Sequence, residues 1–112
     1  MQRGLVEQEG VDPTRVVLAH SGDTSDADHL AALAEAGFVL GMDRFGINLE
    51  TTFQARADIV GELPRGFAHQ MVLSQDASCY LDRIEPSIMA FLPQWHYGHL
   101  RRGCCPTCWS KA

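Results

Sequence analysis

Three short apolar runs, each ending abruptly in polar residues, restrict this chain more than any other feature. Val16, Val17, Leu18 and Ala19 lead directly into His20, Ser21, Gly22 and Asp23. FVLGMDR, from Phe38, ends in Asp43 and Arg44, and MVLSQD, from Met71, ends in Gln75 and Asp76. None of the runs alternates apolar with polar. Each therefore reads as a strand covered on both faces, near Val16–Ala19, Val39–Met42 and Met71–Ser74, and such strands favour a parallel sheet. The intervening segments are long enough for right-handed crossovers. All three tips should then emerge at one carboxyl edge, where α/β barrels and open α/β sheets place their active sites.

The connecting segments carry helix signals. Leu5 and Val6 lie in a helix tail that Gly10 stops before Pro13. Ser25 is a candidate cap, with Asp28 in the first turn, for a helix that sets Leu30, Leu33, Ala34 and Phe38 at helical spacing and ends at Gly37. A second helix starts near Thr51 or Thr52, buries Phe53, Ala57, Val60 and Leu63, and is cut off by Pro64, with Gly66 turning the chain into the third strand. From Ala77 onward, Pro86, Pro93 and Trp95-His96-Tyr97 show no period and read as a long functional loop.

Nine basic residues against fourteen acidic ones give a net charge of −5, which disfavours nucleic acid and anionic membrane as partners. No apolar run approaches the roughly 20 residues that span a bilayer, and the amino terminus lacks the apolar core of a signal peptide; the expectation is a cytoplasmic protein. Cys79 stands apart from Cys104, Cys105 and Cys108, unlike the spread of a secreted disulfide framework. The C-x-x-C at Cys105 and Cys108 has no second ligand pair.

Read from the residues alone, His20 is either a satisfied core histidine or, with Asp76 at another strand tip, half of a site for zinc, cobalt, manganese or iron. Asp23 reads as a cap of the next helix. Trp95, Tyr97 and Tyr80 are packing aromatics or pocket walls. His96 and His99 read as structural, and His29 and His69 as solvent-facing.

The segments HSGDTSDADHL, GMDRFG, LSQDASCY and QWHYGHL, in this order and spacing, resemble the carboxyl-terminal half of the phosphotriesterase-like lactonases, metal-dependent hydrolases of the amidohydrolase superfamily. The resemblance covers about Gly10 to Leu100. It implies an α/β fold, strands six to eight of a TIM-type barrel; a whole barrel takes roughly 250 residues, so residues 1–100 would be part of one. It further implies two divalent metal ions, most often zinc, sharing a hydroxide that attacks a lactone or an organophosphate triester. His20 and Asp76 match metal ligands, and Asp76 would also collect the proton. Asp23 and Arg44 stand in line behind Asp76; since arginine does not release a proton near neutral pH, Arg44 orients Asp76, Asp23 or a substrate oxygen. Trp95 and Tyr80 would contact substrate, and the intact protein would be a homodimer. The segment 101–112 departs from the amphipathic helix the family pattern calls for. The alternative to an active hydrolase is a catalytically dead remnant or a non-catalytic partner chain.

Overall fold

The computed structural model describes residues 2–48, 51–77, 85–89 and 91–103. Strands β1 (Val17–Leu18), β2 (Val39–Met42) and β3 (Met71–Leu73) form one sheet in the order β1-β2-β3. Both pairings are parallel, with Val17 opposite Val39, Leu18 opposite Leu40, and Met42 opposite Leu73. β2 has the expected span; β1 and β3 are shorter than expected, but pairing runs past them: Val39 N–H donates to the Val16 carbonyl at 3.0 Å, and Ser74 N–H to that of Met42 at 3.1 Å.

The helices are α1 (Gln2–Gln8), α2 (Ala27–Glu35), α3 (Phe53–Glu62), α4 (Pro86–Met89) and α5 (His99–Gly103). Gly37, at φ +98°, takes the left-handed turn that ends α2. The cap of α2 is Asp26 rather than Ser25: its carboxylate accepts from His29 N–H at 2.9 Å, a stronger, charge-assisted bond than a serine hydroxyl offers. Thr52 caps α3 by accepting from Ala55 N–H. A 3-10 turn over Arg65–Gln70, not Gly66 alone, leads into β3. It is tied to α2 by Gln70 Nε2 donating to the Ala34 carbonyl. The segment read as a long loop after Ala77 contains the short helices α4 and α5.

Opposed residues of parallel strands share a face. Leu18, Leu40 and Met42 therefore point to one side, where they form a core with Leu30, Leu33 and Ala34 of α2, with Ile59 and Leu63, and with Phe38 and Phe45. The other face carries Val17, Val39, Gly41 and Val72. The two-sided cover expected of all three strands is met only by β2, since Val17 is 59% and Val72 52% exposed. The helices α2 and α3 and the α3 cap supply Leu30, Leu33, Ala34, Ile59 and Leu63 to the core on the opposite face, while the outer valines of β1 and β3 stay more than half exposed.

The buried stripe of α3 also differs from the expected one. Arg56 and Ile59 are buried, whereas Phe53, Ala57 and Val60 flank the core half-covered. The helix is rotated toward its arginine because that side chain finds a charged partner inside the fold.

Candidate active site

Each strand ends in the same unusual way. The residues with positive φ other than glycine, among those described, are His20 (60°), Arg44 (63°) and Asp76 (52°). A side chain in the left-handed region costs on the order of 1–2 kcal/mol. Such outliers persist where the surroundings hold them and gather at functional sites. Here they lie just past the carboxyl ends of β1, β2 and β3, so the parallel sheet gathers them along one edge.

Each tip is held by specific bonds. The Asp43 carboxylate accepts the His20 backbone N–H at 3.0 Å and faces the ring Nδ1 at 2.9 Å. An ionised carboxylate only accepts, so Nδ1 carries the hydrogen, and a ring with no second hydrogen presents its Nε2 lone pair away from Asp43. Ser21 Oγ donates to the Leu18 carbonyl at 2.7 Å, closing the turn below. Asp43, at the second strand tip, was given no role by sequence reasoning. An acid at a neighbouring strand end was the available signal, but its partner lies 23 positions away.

Asp23 sits between two guanidinium groups. Arg44 Nη1 donates to one carboxylate oxygen at 2.6 Å and Arg56 Nη2 to the other at 2.8 Å. Arg44 Nε also lies 3.6 Å from Asp76 Oδ2, an ion pair rather than a hydrogen bond. Charges therefore alternate along Asp76, Arg44, Asp23 and Arg56. Asp23 is not the cap of α2.

Trp95 is buried and donates its indole N–H to the Asp76 backbone carbonyl at 2.9 Å, so it supports the third tip from the loop side. The neighbouring Gln94 carbonyl lies so near Gly46 that a β-carbon there would stand 2.9 Å from it and 3.1 Å from the Gln75 carbonyl. Only glycine lets the two segments pass. Tyr80, Cys79 and the cysteines of the 101–112 tail lie outside the described residues.

A model of the phosphotriesterase family matches residues 1–111. The chain belongs to the phosphotriesterase family. It is 44% identical over 113 residues to a phosphotriesterase homology protein of Mycobacterium tuberculosis, covering 95% of this chain and 35% of that protein. It is 30% identical over 82 residues to an aryldialkylphosphatase of Saccharolobus solfataricus, covering 72% of the chain and 26% of the relative. The solved structure of the phosphotriesterase from Mycobacterium tuberculosis superposes with a TM-score of 0.90 at 41% identity, over 97% of this chain and 34% of that one. The chain thus spans about a third of the length of these relatives.

The donor set of this phosphotriesterase-family chain fits a divalent metal in kind: an imidazole with a fixed tautomer and a carboxylate on one sheet edge. In number it falls short. No group of three or more His, Cys, Asp or Glu side chains is gathered around a metal position among the described residues, and zinc sites use about four ligands. No helix of the described residues is long and apolar enough to cross a membrane.

His96 and His99 pack ring to ring at 5.7 Å, and His99 stacks edge-on against Phe53 at 5.2 Å. His99 Nε2 is buried without a partner. Burial, and then the neighbouring His96, hold the His99 pKa below its ordinary 6.5. A base depressed in the folded state contributes stability above its unfolded pKa and loses it as pH falls below that value toward the folded one, because the unfolded chain takes up the proton first. Urea midpoints are therefore expected to drop on acidification below 6.5, and to drop less in His99→Gln. An equal acid loss in both proteins would show that His99 does not drive it.

Proposed function

We propose that residues 1–100 are strands six to eight of the barrel of a metal-dependent hydrolase acting on lactones or organophosphate triesters. In this reading His20 and Asp76 are ligands at two of the strand tips. The observation that favours it most is the pair of contacts from His20 to Asp43, which turn an exposed histidine into an oriented donor with one nitrogen free. A satisfied core histidine would be buried, whereas His20 is exposed.

Two divalent ions, when bound, supply Lewis acidity and an activated water. The chain's own residues do the placing. Asp76 would bind through its carboxylate and take up the released proton. Arg44, held by Asp23 and standing beside Asp76, offers N–H donors to a carbonyl or phosphoryl oxygen. It stays charged throughout, so the line Asp76, Arg44, Asp23 orients rather than relays. Trp95 keeps the Asp76 backbone in place and, with Tyr80, would border the acyl or aryl group.

The remaining ligands must come from elsewhere, since two donors do not retain a metal against its hydration. Residues 1–112 alone, supplied with zinc, cobalt or manganese, are therefore expected to hydrolyse neither substrate class above the metal-only background. Mixed with the amino-terminal two thirds of the Mycobacterium tuberculosis relative, they are expected to give metal-dependent turnover that His20→Ala and Asp76→Ala each abolish. Turnover that survives both substitutions would overturn the ligand assignment. A wild-type mixture with no activity would favour the second reading, a non-catalytic remnant or partner chain, for which the exposed Val17 and Val72 speak.

A further inference from the structure

Arg56 is the buried charged side chain of the described core, at 1% exposure. An interior guanidinium is costly unless its donors are met. This one is met by three separate points of the chain. Nη1 donates to the Ile47 and Thr51 carbonyls, both at 2.7 Å, and Nη2 to Asp23 at 2.8 Å, while Nε has no acceptor. Ile47 and Thr51 belong to the connection between β2 and α3, and Asp23 follows β1. One planar group on α3 thus joins that connection to the carboxylate that holds Arg44.

We propose that Arg56 is a positioning residue that binds the 47 and 51 backbone and the strand-tip charges into one unit. The β2–α3 connection then governs how far Arg44 reaches over Asp76, and with it which substrate oxygen the tips accept. The catalytic meaning of this inference rests on the proposed function; its structural content does not. A lysine cannot take the place of Arg56, because an ammonium has no fork with which to span three acceptors.

The test uses the 15N-labelled full chain, followed through the Arg44 Nε–Hε resonance and the Ile47, Thr51 and Asp76 amides. In Arg56→Lys all four are expected to shift together, while the Val39 and Leu40 amides in the strand stay in place. An unmoved Arg44 resonance in a folded Arg56→Lys chain would overturn the proposal. If that variant does not fold, Arg44→Lys gives the reciprocal reading. The Thr51 amide should hold still, because Arg56 secures the Thr51 carbonyl without Arg44, whereas the Ile47 N–H donates to the Arg44 carbonyl and is not diagnostic; a Thr51 shift as large as at Asp76 would overturn it too. In the mixture with the relative's amino-terminal part, Arg56→Lys is expected to lower kcat on the order of a hundredfold, the scale of a misplaced group, with KM changed far less. Equal loss in both constants would overturn the positioning role. Resonances that shift as expected beside a wild-type mixture without turnover would support the clamp and overturn the proposed hydrolase.

Discussion

Replacing Phe38 by alanine is expected to leave most of the chain unfolded at room temperature. Phe38 has no exposed surface and sits in the core that α2 shares with the sheet. Truncating a buried phenylalanine costs about 3–5 kcal/mol, the lost transfer free energy plus the cavity left behind. Ordinary domains have about 5–15 kcal/mol in all. This chain should lie at the low end, because one face of its sheet leaves Val17 and Val72 more than half exposed and gains little from burial. Circular dichroism against urea would show the loss as a missing or strongly shifted transition. A cooperative transition within about 1 kcal/mol of wild type would mean that the core around Phe38 repacks far better than cores usually do.

The second large effect is expected from Asp43→Asn. The carboxylate now accepts two N–H groups of His20, one on each oxygen. An asparagine has one acceptor and one donor, so one of those two N–H groups would face an NH₂. The ring can escape by moving its hydrogen to Nε2, and that tautomer cannot bind a metal through Nε2. Long-range 1H–15N correlation spectra of the neutral ring should show the change from the Nδ1–H to the Nε2–H form. Metal affinity of the assembled protein should fall about 10–100-fold, the usual effect of losing a ligand's supporting carboxylate. An unchanged tautomer would show that Asp43 follows His20 rather than directing it.

What was legible in the sequence was whatever depends on near neighbours along the chain. Continuous apolar runs located the three strands, and Gly10, Gly37, Thr52 and Pro64 marked helix ends through local backbone chemistry. The parallel order follows from strands alternating with helices. What escaped depends on partners far apart. Arg56 lies in a helix whose apolar residues at 53, 57, 60 and 63 outline a plausible stripe, and only Asp23, 33 positions earlier, explains why the arginine is inside. The supposed two-sided burial of Val17 failed for a related reason: an apolar run records that a strand is meant to be covered, not that the cover lies among these residues. Trp95 was read as a pocket wall from its family position, while its indole bond to the Asp76 carbonyl depends on a loop path that no periodicity encodes. The left-handed backbone at the tips was equally hidden, since histidine, arginine and aspartate at strand ends are common without it.

Those three left-handed residues bear on any attempt to make this protein more robust. At His20, Arg44 and Asp76 the backbone favours glycine, or asparagine as a second choice. A screen that scores only thermal tolerance would therefore enrich Gly at all three positions, each relieving backbone crowding on the order of 1–2 kcal/mol, offset in part by the larger entropy glycine loses on folding. The winners would be better folded and chemically blank, with the imidazole, the guanidinium and the carboxylate removed together. Optimisation for shelf life and optimisation for turnover thus pull in opposite directions at the same three codons, and a useful library would hold them fixed and vary the exposed valines of the open face instead.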